Sequence, residues 1–185
     1  TIAAIATGMS NSGIGIIRIS GPEAIEISDR LFISKKNNKK LSAVKSHTVH
    51  YGNIVYEGNV IDEVLVVVMK APNTYTREDT VEINCHGGNQ ITREILELVL
   101  DNGARLAEPG EFSKRAFLNG KMDLSQAQAV IDIINSKNKY ALNNSLRQLN
   151  GKLSEKISEI RAEILENIAY IEAFLHHHTQ INLYQ

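Results

Sequence analysis

"VEINCHGGNQITREI", residues 81–95, holds the only cysteine of the chain, a histidine next to it, and two adjacent glycines. Its first five residues alternate in polarity, the period of a strand with one face against a core. From Asn89 the period lengthens. Ile91, Ile95, Leu98 and Val99 share one helical face, and Gly103 supplies a stop. The stretch therefore reads as strand, glycine pair, helix. Cys85 and His86 do not suit a thiolate–imidazole nucleophile, because neighbours on a strand point to opposite faces. A single cysteine cannot supply the thiolate cluster of a zinc site either. The glycines carry two readings: a helix N-terminus that cradles an anion, or a tight connection where missing side chains let backbone approach closely.

The flanking sequence extends this mixed pattern. "TIAAIA" (1–6) and "IGIIRIS" (14–20) are short β-branched runs separated by the turn-rich "TGMSNSG" (7–13). "GPEAIEISDRLF" (21–32) reads as a helix, and "SKKNNKKLSAVKS" (34–46) as an exposed loop of solvated lysines. "HTVHYGNIVYEGNVIDEVLVVVMKA" (47–71) reads as two strands joined by a tight turn at Glu57-Gly58-Asn59. The second of them is apolar enough to be expected buried on both faces. "RLAEPGEFSKRAFLNGK" (105–121) reads as a short strand, a Pro-Gly turn and one or two helical turns.

After residue 122 the texture changes. Asp123 with Gln126 makes a capping box, and apolar residues from Leu124 to Leu149 track one stripe, read as a single long helix. Gly151 interrupts it. Leu153, Ile157, Ile160, Ile164, Ile168 and Ile171 resume the stripe, so an αα-hairpin is expected over 121–175. Two such helices cannot enclose a bundle core alone. The tail "HHHTQINLYQ" (176–185) is expected to be irregular or non-native.

Composition sets the outer limits. The chain has 185 residues, 43% hydrophobic and 22% charged, enough for a buried core of ordinary domain size. Its formal net charge of -1 argues against a broad face for nucleic-acid backbone. The lone cysteine fits a reducing compartment, which points to the cytoplasm. No apolar run approaches the ~20 residues that span a bilayer. There is no G-x-x-x-x-G-K-[ST] loop for nucleotide triphosphates, and "GMSNSGIG" (8–15) does not match the dinucleotide glycine pattern.

Three charged residues stand where their role is open. Arg18 lies in an apolar strand, and Glu82 in another; each faces either solvent or a cleft. Lys121 precedes a capped helix, a position usual for surface lysines. Glu78, Asp79 and Glu82 are acidic neighbours without a partner motif that would complete a metal or acid–base site.

The stretches "TIAAIAT", "GIGIIRISG", "APNTYTREDTVEINCHGG" and "PGEFSKRAFLNGKMDLSQAQAV", in this order and spacing, resemble the MnmE (TrmE) family of tRNA-modification GTPases. The resemblance covers residues 1 to about 173 and implies the following. Residues 1–120 form an α+β, mixed-sheet folate-binding and dimerisation domain similar to the tetrahydrofolate-binding domain of the glycine-cleavage aminomethyltransferase. Residues 121–175 begin the family's helical domain as a truncated hairpin. The ligand is 5-formyl- or 5,10-methylene-tetrahydrofolate, contacted by Arg18, Glu82 and Lys121. The full-length partners are an MnmG-type flavoprotein and tRNA, whose wobble uridine is modified at carbon 5. GTP, magnesium and potassium belong to a G domain that this sequence does not contain. The resemblance also makes "CHGG" a hinge lining the folate pocket, with Cys85 as a packing residue. Two departures stand out: "TGMSNSG" replaces a Pro-Pro-Gly-Arg-Gly-Gly type of loop, and the sequence after Ala173 does not follow the family's Ile-Asp-Phe-Pro type of segment.

Overall fold

A computed structural model describes residues 1–8, 12–36 and 39–181, the last six (176–181) as backbone only. Residues 9–11 of the first loop, 37–38 of the lysine-rich loop and 182–185 of the tail lie outside the described residues. The chain divides into two compact units, Thr1–Lys121 and Met122–Gln185.

The first unit is α+β. Its strands are β1 (Ile2–Ile5), β2 (Ile14–Ser20), β3 (Phe32–Ser34), β4 (Thr48–Tyr56), β5 (Asn59–Met69), β6 (Thr80–His86) and β7 (Arg105–Leu106). They form one sheet in the order β3-β4-β5-β6-β2-β1-β7. The sheet is mixed: β1 and β7 are parallel, and every other pair is antiparallel. Helices α1 (Ala24–Leu31) and α2 (Asn89–Asp101) supply Ile27, Leu31, Ile95 and Val99 to the core, against Ile17, Ile19, Val66, Val68, Val81 and Ile83 of the strands. The β4–β5 turn is the two-residue Glu57-Gly58 connection, both with positive φ, as a right-twisted hairpin requires.

β5 departs from the expected burial on both faces. Val64, Val66 and Val68 are buried, but Leu65 is 47% exposed. Helices α1 and α2 cover one face of β5 and leave the other open, so a strand rich in β-branched residues still alternates between inside and outside. The second face carries Ile14, Val49, Tyr51 and Leu65, all exposed. At the β2–β6 end of that face stands α3 (Glu111–Leu118). The stretch expected as a solvated loop over 34–46 also departs from that reading at its described residues 39–46. Leu41 is fully buried in a 3-10 turn at Leu41–Ala43, whose backbone N–H groups are held by Asp29. Lys35 pairs with Glu63 and lies 4.9 Å from the Tyr51 ring centre.

The second unit is helical. α4 (Leu124–Ile134) and α5 (Lys139–Leu149) form a hairpin, and α6 (Lys152–Ile181) follows after Gly151. The single helix expected over 123–151 is thus two. The apolar stripe has a gap between Ile134 and Ala141, and Asn138 fills it by capping α5, its side chain accepting from the Ala141 N–H at 2.9 Å. The Asp123–Gln126 capping box is formed at the start of α4. Gln126 Nε2 donates to the Leu149 carbonyl and Gln148 Nε2 to the Ser125 carbonyl, each at 2.8 Å, which fixes α4 and α5 antiparallel. The helical backbone of α6 continues to Ile181, past residue 175 where the tail was expected to turn irregular. The 30-residue length suffices by hydrogen-bond propagation to carry the weakly periodic end.

Candidate ligand-binding site

Arg18 and Glu82 are brought together by strand register. β2 and β6 pair antiparallel with Arg18 directly opposite Glu82. Odd-numbered residues of both strands enter the core, so these two project from the second face. Arg18 Nε donates to Glu82 Oε1 at 2.7 Å, and Nη2 reaches the same oxygen at 2.7 Å. One carboxylate oxygen thus takes the hydrogen bond and the closest ion-pair contact. Glu82 Oε2 and Arg18 Nη1 have no partner among the described residues, and the two side chains are 20% and 33% exposed. The pair leaves a carboxylate oxygen free to accept and the Nη1 amino group free to donate, which suits a polar ligand.

Two rings flank the pair. The Arg18 guanidinium carbon lies 6.0 Å from the centre of the Tyr75 ring and 5.7 Å from that of Phe112. Tyr75 belongs to the 71–79 loop and Phe112 to the first turn of α3, and sequence reasoning singled out neither. Their signal was faint: an aromatic in a polar loop, and one after a Pro-Gly turn.

The loop and α3 are tied by a polar network. Arg115 Nη1 donates to both oxygens of Glu78 at 3.0 Å, and Ser20 Oγ donates to Glu78 Oε2 at 2.8 Å. Arg115 Nη2 also reaches Glu111 Oε1 at 3.0 Å, and Arg105 pairs with Glu111 from the other side. Asn119 Nδ2 donates to the Thr76 carbonyl at 2.7 Å, and Tyr75 Oη lies 2.8 Å from Ser113 Oγ. Arg105 and Arg115 hold the buried Glu111 carboxyl down at about 2. Glu78 is therefore a structural ion-pair partner, and Asp79 accepts the Ala71 N–H at 2.8 Å.

Lys121 closes the first unit, one turn beyond α3, where its N–H donates to the Ala116 carbonyl at 2.8 Å. Its side chain is exposed and makes no hydrogen bond or ion pair among the described residues. The structure thus joins Arg18 with Glu82 directly. It relates Lys121 to them only through α3, whose Phe112 ring faces Arg18.

The Cys-His-Gly-Gly stretch is resolved by geometry. Cys85 is buried, its thiol donating to the Gly15 carbonyl at 3.3 Å, and burial pushes its pKa up to about 11. His86 points the other way, exposed, with Nδ1 2.6 Å from Asp62 Oδ1, a hydrogen bond that raises its pKa. A Cβ on Gly87 would meet the Ser12 carbonyl oxygen at 2.2 Å, and the Gly87 N–H donates to the Gly13 carbonyl at 3.2 Å. The glycine is there for the close passage of two backbones. Among the described residues no cluster of three or more His, Cys, Asp or Glu side chains could hold a metal.

The family model for the GTP-binding protein TrmE N-terminus matches residues 1–121, and that for the MnmE helical domain matches residues 124–182. The chain belongs to the MnmE/TrmE family. It carries the family's N-terminal domain followed by helical-domain sequence, and the likeness runs past Ala173, where the sequence alone suggested that it stops. Curated relatives agree. The tRNA modification GTPase MnmE of Lachnoclostridium phytofermentans is 56% identical over 183 residues, 99% of this chain and 40% of the relative. Those of Geobacillus thermodenitrificans and Bacillus subtilis are 58% and 54% identical over 93% of this chain, covering 37% and 38% of their own lengths. The chain spans about two fifths of the length of the curated relatives it matches. No helix among the described residues is long and apolar enough to cross a membrane.

Proposed function

We propose that this chain is the folate-binding, dimerising part of a cytoplasmic tRNA-modifying GTPase. In this reading Arg18, Glu82 and Lys121 hold a 5-formyl- or 5,10-methylene-tetrahydrofolate. The folate is the one-carbon donor for carbon 5 of the wobble uridine, and an MnmG-type flavoprotein is the partner. GTP hydrolysis, with magnesium and potassium, is assigned to a G domain outside this sequence. The supporting observation is the Arg18–Glu82 pair, joined through a single carboxylate oxygen so that Oε2 and Nη1 remain free. A pterin edge presents donors that a carboxylate accepts, and a folate tail presents carboxylates that a guanidinium or ammonium neutralises.

Calorimetric titration of the chain with 5-formyltetrahydrofolate tests this. Saturable binding is expected, weakened about 10- to 100-fold by Arg18→Ala or Glu82→Ala, the value of a charge-assisted hydrogen bond. Lys121→Ala is expected to weaken it less, because that side chain is exposed. A folded sample that gives no binding heat removes the reading. A second reading, an interaction module without a ligand, draws on the exposed apolar residues Ile14, Val49, Tyr51 and Leu65 of the second sheet face. It expects a dimer by sedimentation whose mass is lowered by Leu65→Arg, with no folate heat.

A further inference from the structure

The Arg18–Glu82 ion pair alone is a weak restraint. Its members are 33% and 20% exposed, and a guanidinium on a long side chain loses much rotamer freedom when it is fixed. The site adds a second restraint from elsewhere in the chain. The Tyr75 and Phe112 rings lie 6.0 and 5.7 Å from the guanidinium carbon, within the range of attraction between a cation and a ring face. They come from different elements, the 71–79 loop and α3, and the 2.8 Å Tyr75–Ser113 hydrogen bond ties those elements at the rings themselves.

We propose that Tyr75 and Phe112 are positioning residues: an aromatic wall that holds the Arg18 guanidinium in register with Glu82 and keeps Nη1 turned out toward a ligand. The Tyr75–Ser113 hydrogen bond holds the wall together. This rests on the reading of Arg18 as a ligand contact, but the wall acts on Arg18 whether or not a ligand is bound.

Nuclear magnetic resonance of the Arg18 Nε–H group, assigned by its loss in Arg18→Lys, tests the wall in the ligand-free chain. In the wild type a single resonance protected from water exchange is expected. In Phe112→Leu, which keeps bulk and loses the ring face, exchange is expected to rise about threefold or more. Phe112→Tyr restores the face and the protection. Affinity for 5-formyltetrahydrofolate falls about three- to tenfold in Phe112→Leu and stays within about twofold in Phe112→Tyr. Tyr75→Phe keeps a ring and loses the Ser113 bond, so it gives a smaller loss than Tyr75→Leu. An Arg18 resonance as well protected in a folded Phe112→Leu as in the wild type overturns the proposal. If Phe112→Leu does not fold, Tyr75→Leu is read in the same way. Absence of folate binding in the wild type refutes the ligand assignment, while the Arg18 resonance still decides the wall.

Discussion

Cys85 illustrates how little a conspicuous residue says until its surroundings are known. Beside a histidine and two glycines it suggests chemistry, yet its thiol is buried, bonded to the Gly15 carbonyl and held with a pKa of about 11. At pH 8 it is a protonated thiol, so an aromatic disulfide reagent should label it only after unfolding. Rapid stoichiometric labelling of the folded chain would refute that placement. Glu111 is the opposite case, a carboxylate after a Pro-Gly turn that nothing in the sequence marks. It is buried between Arg105 and Arg115 and accepts the Glu108 N–H at 2.8 Å. Its pKa falls from 4.5 to about 2, so the stabilisation is present above the unfolded value and is lost as pH drops through the folded one. Glu111→Gln should cost about 1–3 kcal/mol at neutral pH in urea unfolding. The gap from wild type should close as pH falls from 4.5 toward about 2, and a gap constant over that window counts against the assignment.

Between strand and helix, the two glycines after His86 look equivalent in the sequence and are not. A Cβ at Gly87 would collide with Ser12 backbone at 2.2 Å, whereas one at Gly88 would sit 3.8 Å from Ile91 Cγ2, an ordinary contact. Gly87→Ala should therefore destabilise by about 2 kcal/mol or more, and Gly88→Ala by less than about 1 kcal/mol. Equal thermal shifts for the two variants would disprove the close passage. In the helical unit, the Asp123 carboxylate caps α4 through the Gln126 N–H at 2.8 Å and also accepts from Ser154 of α6. These hydrogen bonds, that from Ser154 first, lower its pKa. Asp123→Ala should cost about 1–2 kcal/mol, above a simple cap because two helices lose an anchor. A loss of helical circular dichroism with heating at unchanged midpoint would contradict it. The break between α4 and α5 was less legible. "NSKN" at 135–138 contains good capping residues, but the stripe on either side is close enough in phase to suggest continuity.

On the scale of the whole molecule, the sheet of the first unit is complete within Thr1–Lys121: all seven strands and the helices that cover its core face lie there. A chain ending at Lys121 should fold cooperatively and keep the Arg18–Glu82 site, as read by a sigmoidal thermal transition and by folate titration. A non-cooperative melt would show that the first unit depends on the second. The α6 stripe is different. Ile157, Ile160, Ile164, Ile168 and Ile171 recur every three or four residues and are all exposed.

Short-range patterning was enough to place most elements, because burial periods of two and of about 3.6 residues are written into each segment. The β4–β5 hairpin turn, the α4 capping box and the strand–glycine–helix of 81–95 all follow from neighbours in the chain. Which sheet face stays open did not follow, because a run such as "VLVVVM" has the same composition whether one side or both are covered. Nor did the Arg18–Glu82 contact or its aromatic wall. They join residues 64 positions apart on paired strands with rings from a loop and a distant helix. Strand register and the docking of α3 bring these residues together, and both arise from contacts between segments that no local pattern encodes.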